Sequence, residues 1–169
     1  GAAHPVVLAL DLELTGTDPG WHEIIQVGAA LYDDNWNELD RYLSNVFPEN
    51  EESFSRPAEE VHDLSWDELQ DAPMLHEVLE EFEGWVIDTL RLRNDPDKWR
   101  RLRQVVIAGQ SVMYDVNFLK FAYRDERMKW PFSNNILDLH ILSHFLFPIL
   151  ERHGIETPRR RSLGAIAGF

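Results

Sequence analysis

Five apolar residues in succession, Val6-Val7-Leu8-Ala9-Leu10, run straight into Asp11, and Glu13 follows two positions later. A short, unbroken apolar run of this kind, rich in branched side chains, reads as a strand covered on both faces. Why such a strand should finish in two carboxylates is the question that governs everything else in the chain. Residues i and i+2 of a strand project to the same side, so Asp11 and Glu13 aim together while Leu12 and Leu14 turn into the core. Two carboxylates so close repel each other, and beside a buried strand they are poorly hydrated, so without a cation one tends to stay protonated. A divalent ion removes that conflict, and ligands that are all oxygen suit Mg²⁺ or Mn²⁺. Thr15-Gly16 then reads as a tight turn, in which glycine lets a substrate approach the backbone closely.

Further along, Ile24–Tyr32 and Leu39–Val46 read as two more strands, joined as a hairpin by the turn formers Asp33-Asp34-Asn35-Trp36-Asn37. Residues 47–73 form an acidic, proline-containing connection, and Asp71-Ala72-Pro73 signals a helix start. Leu75, Val78, Leu79, Phe82, Trp85, Val86 and Leu90 then mark one buried helical face, which Asn94-Asp95-Pro96 is expected to end. Val105–Ala108 reads as a buried strand closed by Gly109, and Asp115 as the opening of a helix carrying Phe118, Leu119 and Ala122. Asn135-Ile136-Leu137 is a short strand before a helix with Leu139, Leu142, Phe145 and Leu146, and Ser162 caps a last helix holding Leu163 and Ile166. The order β-β-β-α-β-α-β-α-α implies one α/β domain over residues 1–169, built on a mixed sheet with helices on both faces. Ligands of such sheets sit at the carboxyl ends of the strands, and Asp11, Glu13 and Asp115 are all expected just beyond such ends.

Composition narrows the classes of function. The 169 residues are 44% hydrophobic and 27% charged, ordinary values for a folded domain, and the absence of cysteine excludes a disulfide scaffold or thiolate chemistry. No apolar run approaches the roughly 20 residues of a membrane helix, and no signal pattern opens the chain, so no membrane association and a cytoplasmic location are expected. A net charge of −14 argues against a protein that coats nucleic acid, though not against an enzyme gripping a few nucleotides beside metal ions. Positive charge is local, at Arg91 and Arg93, Arg100 to Arg103 and Arg159-Arg160-Arg161, and each cluster reads as a solvated face.

The segments "DLELTG" and "AGQSVMYDVNFL" together resemble the first two motifs of the DEDDh 3′–5′ exonucleases, D-x-E-x-T-G and G-H-N-x-x-F-D-x-x-F-L. "RPAEEVHDLSWDELQDAP", "ILDLHILSHFL" and "RRRSLGAIAGF" are similar to later parts of the proofreading branch, so the likeness spans essentially the whole chain. The resemblance implies a ribonuclease H-like fold with a mixed five-stranded sheet, and hydrolysis of phosphodiester bonds from the 3′ end of single-stranded DNA or RNA. It implies two divalent cations, Mg²⁺ or Mn²⁺, held by Asp11, Glu13 and Asp115 as the catalytic set, with Asp11 bridging the ions. Leu14, Thr15 and the Gly16 backbone would line the 3′-terminal nucleotide. A homodimer, and a polymerase or other repair or processing partner, stay open. The alternative from another class is a catalytically impaired module that keeps the fold and binds nucleic acid or a protein.

Two departures stand out. Gln110-Ser111 occupies the place where His-Asn is usual, positions that support the loop and the substrate more than the metals. The third motif, H-x-A-x-x-D, which supplies a general-base histidine and a fourth carboxylate, has no counterpart before Phe169. The natural protein is therefore expected to continue past Phe169, and residues 1–169 alone to hold no metal pair, or at most one weakly bound ion. His62 and Asp67 show a similar spacing but fall in the connection before the first long helix, and read as non-catalytic. Asp138 reads as a helix cap rather than a metal ligand. His140 and His144 are four apart on a helix, a spacing that can bind zinc, but with no partnering Glu or Cys set they read as helix-face histidines.

Overall fold

The computed structural model of the protein describes residues 5–54 and 63–156. Three strands come first: β1 (Val7–Leu14), β2 (Ile24–Tyr32) and β3 (Glu38–Asn45). A 3-10 turn at Glu51–Ser53 and a short helix α1 (Trp66–Leu69) lead to the long helix α2 (Leu75–Thr89) and a short α3 (Lys98–Leu102). Then β4 (Val106–Gly109), α4 (Val112–Asp125), β5 (Ile136–Asp138) and α5 (Leu139–Arg152) alternate. The strands form one five-stranded sheet in the order β3-β2-β1-β4-β5. β1 runs antiparallel to β2, and β2 to β3, whereas β4 and β5 join in parallel on the other side of β1. This is the mixed, ribonuclease H-like sheet expected from the sequence, with β1 at its centre.

Alternation along β1 divides the sheet into two faces. Leu8, Leu10 and Leu12 point into the main core, where they meet Val27, Leu31 and Ile107, the Val78/Leu79/Phe82/Val86 stripe of α2 and the Val116/Leu119/Ala122/Tyr123 stripe of α4. Each such side chain, taken from water to full burial, contributes about 1.5–3 kcal/mol. The opposite face is thinner: Val7 and Ala108 pack there against Leu139 at the start of α5. Helices therefore lie on both faces, with α2 and α4 on the thick side and α5 on the thin side.

Several element ends differ from the sequence reading, each for a local reason. β1 does not stop at Leu10 but continues through Leu14, because β2 pairs with it along its whole length. α2 starts at Leu75 rather than at the Asp71-Ala72-Pro73 signal, since the Pro73 carbonyl accepts the N–H of Phe47 (2.8 Å) and is held against the end of the sheet. The same helix ends at Thr89, ahead of Asn94-Asp95-Pro96. Arg91 adopts a left-handed conformation (φ 57°), and the N–H groups of Arg91 and Leu92 return to the carbonyls of Asp88 and Ile87, a Schellman closure that buries Leu92. Inside the connection 47–73, α1 is started by a capping box: Ser65 Oγ accepts from the Glu68 N–H, and Glu68 Oε2 from the Ser65 N–H. α3 was likewise not apparent from periodicity, being only one turn long around the buried Leu102. The helix proposed after Ser162 and the Arg159-Arg160-Arg161 cluster lie outside the described residues.

Candidate active site

Only Val7, Leu8 and Ala9 of β1 pair with β4, so the second half of β1 has β2 on one side and no strand on the other. Asp11 and Glu13 belong to this half, opposite Gly28 and Gln26, and share the thin face with Val7. They thus stand within the strand rather than just beyond its end, a correction that follows from the length of β2. Leu12 is buried between them on the other face, and Leu14 packs against the main core, as the alternation requires.

The edge that β4 leaves open is filled by α4. Gly109 closes β4 tightly: a Cβ there would lie 2.8 Å from the Leu10 carbonyl oxygen and 2.9 Å from Val112. Two residues later Ser111 turns left-handed (φ 51°, ψ 41°), and α4 begins at Val112, so Asp115 lies within the first turn rather than opening the helix. That displacement brings its carboxylate to β1, where Oδ2 accepts the main-chain N–H of Leu12 at 3.2 Å. Asp115 therefore completes the hydrogen bonding of the strand between Asp11 and Glu13.

The electrostatics of this edge are those of crowded carboxylates. Burial holds the Asp11 carboxyl above its ordinary range, and burial, then the charge of Asp11, does the same for Glu13. Asp115 is pushed up to about 7; burial dominates, the charges of Asp11 and Glu13 add to it, and the Leu12 N–H opposes it. The donor set suits a hard divalent ion in kind, being all oxygen, and in sign, since a cation favours the ionised forms that burial disfavours in all three. Among the described residues, however, no group of three His, Cys, Asp or Glu side chains is drawn together closely enough to hold an ion as it stands.

The turn after β1 is built by its own residues. Thr15 is buried, its N–H donates to the Glu23 carbonyl (2.9 Å), and its Oγ1 accepts the Glu23 N–H (2.8 Å). The Glu23 carboxylate in turn accepts the N–H groups of Glu49 and Asn50, both at 3.0 Å. Gly16 is covered by the ring of His22: a Cβ at residue 16 would lie 2.3 Å from that ring. His22 Nδ1 accepts the Asp18 N–H at 3.0 Å, which fixes the ring. Glu23 and His22 were missed in the sequence, where the only available sign was a pair of polar residues directly before a strand.

Other candidates separate clearly. Asp138 caps α5, its Oδ1 accepting from the His140 and Ile141 N–H groups at 3.0 and 3.1 Å and from the Ser111 N–H at 3.3 Å. Asp67 sits in the first turn of α1, and His62 lies outside the described residues. Arg93 pairs with Asp88, Arg100 with Asp97 and Arg101 with Asp95, so these arginines are neutralised locally on an exposed face. No helix of the described residues is long and apolar enough to cross a membrane.

The sheet is ribonuclease H-like and carries acidic residues past the end of β4, and comparison with known proteins supplies the family. A sequence model described as an exonuclease matches residues 8–167. The chain belongs to that exonuclease family. It is similar to the PolC-type DNA polymerase III of Bacillus cereus, at 23% identity over 155 residues, covering 92% of this chain and 9% of that protein. It is similar also to the DNA polymerase III subunit epsilon of Treponema pallidum, at 23% identity over 150 residues, covering 89% of this chain and 60% of the subunit. Among solved structures, the nuclease domain of 3′hExo, a DEDDh family member bound to rAMP, superposes with a TM-score of 0.64 at 17% identity, covering 99% of this chain and 87% of that one. The chain thus spans less than two thirds of the length of these polymerase relatives.

Proposed function

We propose that the protein is a metal-dependent 3′–5′ exonuclease that hydrolyses the terminal phosphodiester bond of single-stranded DNA or RNA, with Asp11, Glu13 and Asp115 as its catalytic carboxylates. The observation that carries this reading is the Leu12–Asp115 hydrogen bond, which ties a carboxylate of α4 to the strand between the two carboxylates of β1. Family membership supplies the reaction class, and the acidic, oxygen-only edge supplies its chemistry.

Asp11 and Glu13 would hold divalent ions from one face of β1, and Asp115 from the adjoining helix. Bound there, a pair of Mg²⁺ or Mn²⁺ ions would supply an activated water and stabilise the charge on the leaving 3′ oxygen. The turn Leu14-Thr15-Gly16 would line the terminal nucleotide through its backbone, since Leu14 packs on the core and Thr15 is buried, bonded to Glu23. A turn fixed in this way matters because hydrolysis depends on an attacking water and a phosphate held in line. The similarity to polymerase III chains supports a polymerase as partner and DNA as substrate, while the likeness to a structure holding rAMP keeps RNA in view.

The test is a panel of single-stranded DNA and RNA oligonucleotides of several lengths, labelled at the 5′ end, with Mg²⁺ or Mn²⁺. Shortening from the 3′ end is expected, and Asp11→Ala is expected to reduce it by about 10²-fold or more with the fold retained. Oligonucleotide binding without any metal-dependent shortening would instead support a module that has kept the fold and lost the chemistry. Full activity in Asp11→Ala would overturn the assignment of the site.

A further inference from the structure

His140 and His144 stand one helical turn apart at the start of α5, with their Nε2 atoms 2.9 Å apart and their rings at 89°. At that separation the two nitrogens share one proton, an Nε2–H of one ring donating to the bare Nε2 of the other. The remaining nitrogen of His140, Nδ1, lies 3.2 Å from the side-chain amide of Gln110. Gln110 follows β4 directly, and α5 packs against that part of the sheet through Leu139 and Ala108. Neither the carboxylate edge nor the capping of α5 by Asp138 uses the imidazole groups of this pair.

We propose that His140 and His144 form a second metal site, separate from the carboxylate edge, which takes one late first-row divalent ion such as Zn²⁺, Co²⁺ or Ni²⁺ through the two Nε2 atoms. Histidines at i and i+4 on a helix present both rings to one point, the arrangement that metal sites on helices use. Two metal–nitrogen bonds of about 2.0–2.1 Å, at angles from square to tetrahedral, place their nitrogens about 2.9–3.4 Å apart. The observed 2.9 Å matches the square end of that range, so an ion displaces the shared proton and sits beside the line between the nitrogens once the two rings turn toward it, with little movement of the helix.

Gln110 completes the design. A histidine bound through Nε2 carries its proton on Nδ1, and that N–H needs an acceptor. The Gln110 amide provides one when turned so that Oε1 faces His140, a rotation that exchanges its nitrogen and oxygen without moving the chain. The departure at residue 110 from the usual family histidine thereby gains a role as the group that orients a ligand. His144 is exposed, so water reaches the ion and fills its other positions. Imidazole nitrogens favour these ions, whereas the carboxylates favour Mg²⁺ and Mn²⁺, so the two sites sort ions by chemistry. The Gln110 contact joins this pair on α5 to the link between β4 and α4, the link that leads to Asp115.

The experiment titrates the metal-free 169-residue chain with Co²⁺, Ni²⁺ and Zn²⁺, following heat of binding and the visible absorption of Co²⁺ with millimolar Mg²⁺ present. One such ion per chain is expected, with affinity unchanged in Asp11→Asn, about tenfold or more weaker in His144→Gln and His140→Gln, and less severely reduced in Gln110→Ala. Melting in chelator, expected to be equal for the wild type and the His140, His144 and Gln110 variants, separates loss of a ligand from loss of fold. Equal affinity in the wild type and His144→Gln would overturn the proposal, as would loss of binding in Asp11→Asn alone, which would assign the ion to the carboxylates. Because this readout needs no turnover, its failure is distinguishable from failure of the exonuclease reading.

Discussion

The main-chain N–H of Leu12 and the Oδ2 atom of Asp115 meet at 3.2 Å across 103 residues of sequence. Asp115 is thereby both a carboxylate of the acidic edge and the acceptor that completes β1, and substitutions can separate these roles. Asp115→Asn keeps an acceptor oxygen for Leu12 while losing the charge. We expect it to abolish metal-dependent hydrolysis and to melt at or above the wild-type temperature in chelator. Asp115→Ala leaves a partly buried N–H without its partner and should lose about 1–3 kcal/mol of stability in addition. Thermal or denaturant unfolding of the two variants side by side checks this; equal destabilisation of both would show that the hydrogen bond contributes nothing.

The pH dependence of the metal-free protein follows from the same residue. Burial and the charges of Asp11 and Glu13 push Asp115 up to about 7 from an ordinary 3.8, and Asp11 and Glu13 are raised in the same direction. Between about pH 4 and 7 the folded chain therefore keeps protons that the unfolded chain has released. Stability contributed by these groups falls as pH rises through that window, then levels off. For Asp115 the loss has an upper limit of about 4 kcal/mol, and the open edge screens it to less. Unfolding in chelator from about pH 4.5 to 8 should show this decline in the wild type and a shallower one in Asp115→Asn. A stability contribution from the edge that rises across the window would contradict the account.

Divalent ions should reverse the decline, because they bind the ionised carboxylates of the folded state. Millimolar Mg²⁺ or Mn²⁺ is expected to raise the melting temperature at pH 7.5, with a smaller rise at acidic pH and none in an Asp11→Asn/Asp115→Asn double variant. Ca²⁺ should also stabilise the edge yet support hydrolysis poorly, since its larger and looser coordination holds reacting oxygens less strictly. Melting curves indifferent to Mg²⁺ and Mn²⁺ would show that residues 1–169 do not assemble the site alone.

How far the sequence foretells this molecule depends on whether a feature is local. The run Val6–Leu10 announces a central strand because both of its faces are apolar, and the α2 stripe announces a helix because its period is 3.6. The end of β1 could not be read in the same way: the apolar run stops at Leu10, and pairing with β2 is what carries the strand on through Asp11 and Glu13 to Leu14. The helix carrying Asp115 starts three residues earlier than its charge suggests, because Ser111 adopts a left-handed turn stabilised by Asp138, 27 residues away. The acidic residues of the proposed site were legible as residue types at a recognisable spacing. Their supports were not, since Glu23 under Thr15, His22 over Gly16 and Gln110 beside His140 are contacts made only after the chain has folded.

The contact between His22 and Gly16 yields the last prediction. The imidazole of His22 occupies the volume a side chain at residue 16 would need, with ring atoms 2.3–2.5 Å from an added Cβ. Gly16→Ala must therefore expel the ring, which breaks the hydrogen bond that Nδ1 accepts from the Asp18 N–H and loosens the turn beside Glu13. The expected cost is about 1–3 kcal/mol of stability. A fall in exonuclease activity larger than that destabilisation explains is also expected, because the turn would line the terminal nucleotide. His22→Ala removes the obstruction, so the double variant Gly16→Ala/His22→Ala should recover most of the stability lost by Gly16→Ala alone, an interaction a double-mutant cycle measures directly. Activity in the double variant then distinguishes two reasons for the glycine. Recovery along with stability would mean that residue 16 is glycine to accommodate His22, while stability regained without activity would mean that the substrate itself needs the bare backbone there.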